Sequence, residues 1–212
     1  MIKLLLADVL PLDNPAVYDL LYDSASSERR AAADSFRFRK DRNLSLGAAA
    51  LIDRGLGAFG FREKDMSYGR TAYGKPFFRN APGIHFNISH SSTKVAVAFS
   101  DSEVGCDIEE ITDIDLAVAE RFFNRDEYEA IMSLKDEERC SAFFRCWTMK
   151  ESYMKATGMG MSLPPGSFSV FREIPGYSFL TPDSFAGYAC ALCCNPDNGV
   201  PEIERVALTV IG

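Results

Sequence analysis

The stretch from Arg139 to about Thr157 most constrains the fold, because it predicts one long amphipathic helix. Its apolar positions recur near helical spacing and include Phe143, Phe144, Trp147 and Met154. Gly158 and Gly160 follow directly, and glycine is common where a helix ends. The stretch is therefore predicted to end near Thr157 and to bury one side in the core.

Shorter segments of strand and helix composition surround this helix. Strands are predicted at Ile2–Val9, Ile84–Ile88, Val95–Phe99 and Val104–Ile108, and after Phe168 as a closing antiparallel sheet. Helices are predicted after Pro15 and over about Ala31–Gly57, Leu116–Phe123 and Asp126–Leu134. Ser89–Thr93 is predicted to be a polar loop. Ser100–Glu103 is predicted to turn the chain in a hairpin and to lie near the boundary between two halves.

Length and charge exclude some classes of protein. The chain has 212 residues, of which 47% are hydrophobic and 25% charged, as in a soluble globular protein. A net charge of −7 argues against general nucleic-acid binding but permits a local basic pocket. The apolar run before Asp8 is short for a cleaved signal, and no segment approaches the roughly 18 apolar residues of a membrane span. We therefore expect a cytoplasmic protein with no membrane partner.

The cysteines are predicted to be structural. Cys190-x-x-Cys193 is only a weak indication of zinc or redox chemistry, because no second cysteine pair or nearby histidine completes a tetrahedral set. The segment Gly187–Cys194 instead has the composition of a buried strand. The remaining cysteines are Cys106, Cys140, Cys146 and Cys194.

Three carboxylates are candidates for a metal–phosphate site. Asp107 and Glu109 share one face of a strand because side chains alternate there, and Glu151 and Lys155 share one face of a helix. Carboxylate oxygens suit Mg²⁺, and a lysine suits phosphate oxygens. The same residues also fit solvent-exposed charge, since a Glu151–Lys155 surface pair contributes only about 0.2–0.5 kcal/mol. Spacing alone leaves both interpretations open.

The basic residues before position 45 and the histidine His90 also have two interpretations. Arg29, Arg30 and Arg42 fall in the most basic region, which fits either a solvated helix face or an anion site. His90 fits either a solvated position or a donor to phosphate.

Several motifs, in this order, closely resemble those of the 4′-phosphopantetheinyl transferases. They are Tyr73-Gly-Lys-Pro76, Phe86-Asn-Ile-Ser-His-Ser91, Val104-Gly-Cys-Asp-Ile-Glu109, Arg121-Phe-Phe123 and Trp147-Thr-Met-Lys-Glu-Ser-Tyr-Met-Lys155. The resemblance covers about residues 1–175 and is to the Sfp type, whose single chain holds two similar halves, rather than to the shorter trimeric holo-acyl-carrier-protein synthases. The third and fifth motifs together are specific, whereas either alone would be weak.

This resemblance implies an enzyme that transfers the phosphopantetheine arm of coenzyme A to a serine of an apo carrier protein and releases adenosine 3′,5′-bisphosphate. It implies Mg²⁺ held by Asp107, Glu109 and Glu151. Glu151 and Lys155 would be catalytic, Glu151 as the acceptor of the serine proton (directly or through water) and Lys155 as a binder of the pyrophosphate. Whether Glu151 or a metal-bound water is the base stays open.

The resemblance also implies a set of residues that bind coenzyme A: Arg29, Arg30, Arg42, Lys75, Ser89, His90 and Lys155. His90 would hold the 3′-phosphate. Ala31–Ala33 departs from the family, which often has a further basic residue there. The binding of the 3′-phosphate is therefore the feature in which this chain differs from the family. Ile114, Leu116 and Phe122 lie in the family's carrier-contacting region and fit carrier contact and core packing equally.

The fold implied is α+β with pseudo-twofold symmetry, each half having a small antiparallel sheet and a long packing helix. Residues 1–102 would bind coenzyme A, and residues 103–212 would carry the magnesium and catalytic residues. We expect a monomer that serves acyl, peptidyl or aryl carriers of fatty-acid, polyketide or nonribosomal-peptide systems. The alternatives are a non-catalytic binding module for carrier protein or coenzyme A and another Mg²⁺-dependent phosphoryl-transfer enzyme, such as a nuclease.

Overall fold

Two sheets and two long helices form the framework of the computed structural model, which describes residues 1–209. The strands are β1 (Ile2–Asp8), β2 (Tyr68–Arg70), β3 (Pro76–Phe78), β4 (His85–Ser91), β5 (Lys94–Ser100), β6 (Val104–Glu110), β7 (Ser178–Leu180), β8 (Tyr188–Cys194) and β9 (Glu202–Val206). The helices are α1 (Pro15–Ser24), α2 (Ser27–Asp34), α3 (Arg39–Gly57), α4 (Ala117–Phe122), α5 (Arg125–Met132) and α6 (Asp136–Ala156). This mixed content confirms the α+β class. None of the helices in the described range is long and apolar enough to cross a membrane.

The sheets pack in the middle of the molecule, with a long helix against each. The first sheet has the order β4-β5-β1-β9 and the second the order β6-β8-β7. Leu4 and Ala98 of the first sheet and Ile108 and Leu192 of the second belong to one buried apolar cluster. On its other side the first sheet shares a core with α3, and α6 packs on β6 and β8. Each long helix thereby covers the sheet face that would otherwise meet water.

Four predictions about secondary structure need correction. Ser100–Glu103 does not close a hairpin, because β5 pairs with β1 and β4, whereas β6 pairs with β8 in the other sheet. The helix predicted over Ala31–Gly57 is instead two helices, α2 and α3, separated by residues 35–38. The loop predicted at Ser89–Thr93 is correct only for its last two residues, which form a turn, because β4 continues to Ser91. The closing sheet is antiparallel in β6-β8-β7, but β9 returns to the first sheet and pairs in parallel with β1. The first sheet is therefore mixed.

The long helix predicted from Arg139 is confirmed as α6, although its buried residues are less uniformly apolar than expected. Thr148, Lys150 and Ser152 are fully buried together with the apolar positions. Gly105 of β6 permits the close approach of this helix, because a side chain there would clash with the backbone of Ser152 and Ala156. The buried strand predicted at Gly187–Cys194 is also confirmed, as β8, and all six cysteines are free thiols.

Side chains of β4 join the two sheets. As the edge strand of its sheet, β6 has outward backbone groups without a partner strand. The amides of Cys106, Ile108 and Glu110 donate to Asn87 Oδ1 at 2.9 Å, Ser89 Oγ at 3.4 Å and Ser91 Oγ at 3.1 Å, respectively. Alternate side chains of one strand thus satisfy alternate amides of another, which fixes the register between the sheets.

A buried ion pair fastens α6 to the segment that follows it. Lys150 Nζ lies 2.7 Å from Glu127 Oε2, with both side chains fully buried, and donates to the carbonyl of Phe168 at 2.8 Å. The carboxylate of Glu127 also accepts from the amide of Val170 at 2.7 Å. The pair organises the chain around residues 168–170 by satisfying its backbone groups.

We predict that Asn87→Ala lowers the free energy of unfolding by about 1–3 kcal/mol, because the buried Cys106 amide loses its acceptor. Urea unfolding followed by circular dichroism measures the change. Ser91→Ala is the matched control, since the half-buried amide of Glu110 can turn to water, and it is expected to cost less. Equal losses of unfolding free energy in the two variants would contradict the larger contribution predicted for the buried hydrogen bond from Cys106 to Asn87.

We predict a larger loss, about 3–5 kcal/mol, for Lys150→Met, which leaves the buried Glu127 charge without its partner. The double variant Glu127→Gln/Lys150→Met should lose less than the sum of the two single variants. Arg125→Gln removes an exposed pair with Glu129 and should change stability by less than about 1 kcal/mol. Strict additivity in urea unfolding would show that Glu127 and Lys150 are not coupled.

Candidate active site

Asp107 lies at the centre of the candidate site, on the side of β6 that faces α6. Its side chain is only 1% exposed. Oδ1 accepts hydrogen bonds from Ser89 Oγ at 2.7 Å and from Lys155 Nζ at 2.6 Å, and Ser89 Oγ lies 3.0 Å from the same ammonium. The structure therefore brings together one residue from each of β4, β6 and α6, which sequence separates by up to 66 positions.

Glu109 and Glu151 surround this centre with further negative charge. Lys155 Nζ is 3.7 Å from Glu151 Oε2. Burial raises the pKa of both Glu109 and Glu151, and the charge of Asp107 adds to the rise in each. Burial disfavours the charged form of Lys155, but attraction by Asp107 and Glu151 outweighs it and raises the pKa of Lys155. The site thus has three carboxylates and one close ammonium.

This donor set suits a hard divalent cation in kind and in charge. Asp107 Oδ2 is buried without a hydrogen-bond partner in the described part of the chain, which leaves a carboxylate oxygen free to bind. A cation would also relieve the repulsion among the carboxylates. The side chains are not arranged as a preformed centre, since within residues 1–209 no three His, Cys, Asp or Glu residues form a group that could hold a metal ion.

Lys75 lies at the joint between β6 and the end of α6. Its ammonium pairs with Glu103 and donates to the carbonyls of Val104 at 3.2 Å and Ala156 at 2.9 Å. Glu103 also contacts His85, 3.2 Å away, and His85 followed by Lys75 lowers the pKa of Glu103 to about 2. In this arrangement the Lys75 ammonium contacts protein groups next to Lys155 rather than open solvent.

His90 is in β4 and not in a loop, on the strand face opposite Ser89. Its side chain is exposed. Partial loss of water around the ring, together with the positive charge of Lys155, lowers its pKa. His90 directly follows Ser89, which contacts Asp107, so it lies beside the site on the other face of β4.

The predicted arginines are divided between different surroundings. Arg29 lines a cavity of about 580 Å³ between α2 and the hairpin β2–β3, where it stacks over Tyr68 at 4.5 Å. Arg30 instead lies over Tyr22, at 5.9 Å, and Arg42 donates to the carbonyl of Phe36 at 2.8 Å. Neither Arg30 nor Arg42 lines this cavity.

Sequence reasoning missed two cationic residues of the same cavity, Arg70 and Arg79. Arg70 ends β2 at the turn side of the short β2–β3 hairpin, and Arg79 directly follows β3 at its open end. Their separation from Arg29 in sequence hides the fact that all three line one cavity. A hairpin predicted at β2 and β3 would have indicated that Arg70 and Arg79 lie in the same part of the fold.

The predicted carrier-contacting side chains pack against a buried cluster of α4, α5 and α6 that includes Ala119, Ile131 and Phe143. Ile114, Leu116 and Phe122 are each half-buried there, and Phe122 lies edge-on to Trp147 with ring centres 6.3 Å apart. They contribute to the core while part of each remains accessible.

Comparison with known proteins identifies the family. A model of the 4′-phosphopantetheinyl transferase superfamily matches residues 103–193, which include Asp107, Glu151 and Lys155. The 4′-phosphopantetheinyl transferase psf-1 of Bacillus pumilus is 38% identical over 84% of this chain and 78% of its own length. The 4′-phosphopantetheinyl transferase gsp of Aneurinibacillus migulanus is 33% identical over 99% of this chain and 92% of its own length.

A third relative is the 4′-phosphopantetheinyl transferase Sfp of Bacillus subtilis strain 168. It is 34% identical over 81% of this chain and 83% of its own length. These matches extend well beyond the residues of the family model, and they agree with the motifs of β4, β6 and α6. The chain belongs to the 4′-phosphopantetheinyl transferase superfamily, as a relative of the Sfp-type enzymes.

Proposed function

We propose that this protein transfers the 4′-phosphopantetheine group of coenzyme A to a serine of an apo carrier protein. The observation that carries the proposal is the contact of Asp107 with Lys155 and Ser89 in a chain of this family. A buried carboxylate and an ammonium lie in contact there, and these groups suit a metal ion and a phosphate, respectively. The other product is adenosine 3′,5′-bisphosphate.

We assign magnesium binding to Asp107, Glu109 and Glu151. The unpartnered Asp107 Oδ2 and the surrounding negative charge support this assignment. Bound Mg²⁺ would neutralise charge on the pyrophosphate of coenzyme A. Without that neutralisation, three carboxylates would repel the anionic substrate.

The residues of α6 perform the remaining chemistry in this proposal. The carrier serine oxygen forms a bond to the phosphorus that bears the pantetheine arm, and the bond from that phosphorus to the oxygen bridging the pyrophosphate breaks. Glu151 accepts the serine proton, and its position one helical turn from Lys155 places both groups on one side of the helix. Lys155 stabilises the negative charge that stays on the departing bisphosphate.

Binding of coenzyme A is assigned to groups on both faces of β4. Ser89 and Lys155 face the pyrophosphate, and His90 and Arg29 lie toward the adenosine end with its 3′-phosphate. Lys75 would contact a phosphate by exchanging Glu103 for it, and Arg30 and Arg42 would contribute by leaving Tyr22 and Phe36. These last three are weaker candidates because their present contacts are satisfied.

The remaining features of the proposal concern the whole protein. We infer that the two sheet-and-helix units are related by pseudo-twofold symmetry, with coenzyme A binding by residues 1–102 and catalysis by residues 103–212. We further propose a cytoplasmic monomer that modifies carriers of fatty-acid, polyketide or nonribosomal-peptide synthesis. Accessible parts of Ile114, Leu116 and Phe122 would contact the carrier.

The direct test is incubation with coenzyme A, Mg²⁺ and a panel of apo carrier proteins, followed by mass spectrometry. A mass gain of one phosphopantetheine group on the carrier, lost when a chelator is added, is the expected result. Absence of any gain across acyl and peptidyl carriers would overturn the proposed function, and a gain that survives chelation would overturn the metal assignment.

We predict that Asp107→Asn lowers transfer by at least about 100-fold, because a metal ligand and the partner of Lys155 are lost together. Glu110→Gln is the matched control, since this carboxylate is on the same strand but is not assigned to the site. It should retain transfer close to the unchanged protein. Circular dichroism verifies folding, and equal activity of the two variants would remove Asp107 from the site.

A further inference from the structure

We propose that Arg70 and Arg79 form an anion site that recognises the 3′-phosphate of coenzyme A. The inference rests on the proposed function and adds two residues to it. Both arginines line the cavity between α2 and the β2–β3 hairpin, together with Arg29 and Ile88. With a volume of about 580 Å³, the cavity falls in the range of small-molecule sites.

Both guanidinium groups are held by the hairpin itself. Arg70 Nη1 donates to the carbonyl of Gly74 at 2.9 Å, and Arg79 Nε donates to the carbonyl of Tyr68 at 2.9 Å. Each bond uses part of one guanidinium and limits its orientation. The other N–H groups have no acceptor within residues 1–209 and remain for a ligand. Because a guanidinium has several donors in a fixed plane, two of them suit the several oxygens of a phosphate.

The positive charge of the cavity comes chiefly from these two residues. Arg29 is balanced by the buried carboxylate of Glu63, with Arg29 Nε 3.6 Å from Glu63 Oε1. By contrast, Arg70 and Arg79 form no ion pair with any residue of the described chain. Glu28 also lines the cavity and offsets one of these charges. The cavity therefore has an excess of positive charge although the whole protein is acidic.

The location of the cavity suits the distal end of coenzyme A. Ile88 lines the cavity, and the next residue, Ser89, donates to Asp107 on the opposite face of β4. A ligand whose pyrophosphate lies at Lys155 would pass this strand to place its other phosphate in the cavity. His90 is on the same face of β4 as Ile88 and follows it by two residues, so it would lie along that path.

This site accounts for the departure at Ala31–Ala33, where the family often has a basic residue. Ala32 of α2 lines the cavity without a charge, and Arg70 and Arg79 line it from the β2–β3 hairpin. In this proposal the phosphate is therefore recognised chiefly by the hairpin.

Calorimetric titration with coenzyme A and with 3′-dephospho-coenzyme A, at one fixed magnesium concentration, tests the proposal. A charge-assisted hydrogen bond contributes about 1.5–3 kcal/mol, so Arg70→Gln and Arg79→Gln are each expected to raise the Kd of coenzyme A by about tenfold or more. The Kd of the dephospho compound should change by less than about threefold, because the group that the arginines contact is missing.

Arg125→Gln, an exposed arginine of α5, is the control and should leave both constants unchanged. Thermal unfolding checks the hairpin in each variant. Equal weakening of both compounds, or no weakening of either, would overturn the proposal. Since binding is measured without a carrier, failure of transfer would contradict the proposed function while leaving this result intact.

Discussion

The hydrogen bonds from β6 amides to β4 side chains are the interaction on which the rest of the structure depends. They replace the backbone pairing that an edge strand lacks, and they hold the second sheet against the first. Because side chains alternate along β4, only every second residue takes part, and Phe86 and Ile88 on the other face pack in the core shared with α3. A shift of one residue would exchange these two sets, so the register that joins the sheets also preserves the core.

The same junction creates the chemistry of the site. Ser89 approaches the amide of Ile108 and also donates to the carboxylate of Asp107, so one hydroxyl serves the fold and the site together. Gly105, two residues before Asp107, lets α6 approach until Lys155 meets that carboxylate. The position of the Asp107 carboxylate is therefore determined by the packing of strands and a helix rather than by a loop, which favours a reproducible geometry.

The sequence predicts which residues share one face of a strand or helix, but it does not predict all of the contacts between these elements. Alternation placed Asp107 with Glu109, and helical spacing placed Glu151 with Lys155. Their convergence followed only from family resemblance, because contacts across 48 positions depend on tertiary packing. The loop predicted at Ser89–Thr93 began too early for a physical reason: Ser89 and Ser91 belong to β4, where their hydroxyls accept from the amides of β6. The sequence did not predict Arg70 and Arg79 as site residues, because hydrophobic periodicity does not identify hairpins with strands as short as β2 and β3.

Charge is divided between two regions that would bind opposite ends of one substrate. In the proposed mechanism, Asp107, Glu109 and Glu151 outnumber Lys155 at the reacting end, so a pyrophosphate would bind there only together with a cation. In the cavity, Arg70 and Arg79 outnumber Glu28, so an isolated phosphate would bind without one. The strand β4 separates the two regions by its own thickness. This division of charge would orient coenzyme A, because its pyrophosphate would bind with a metal ion and its 3′-phosphate without one.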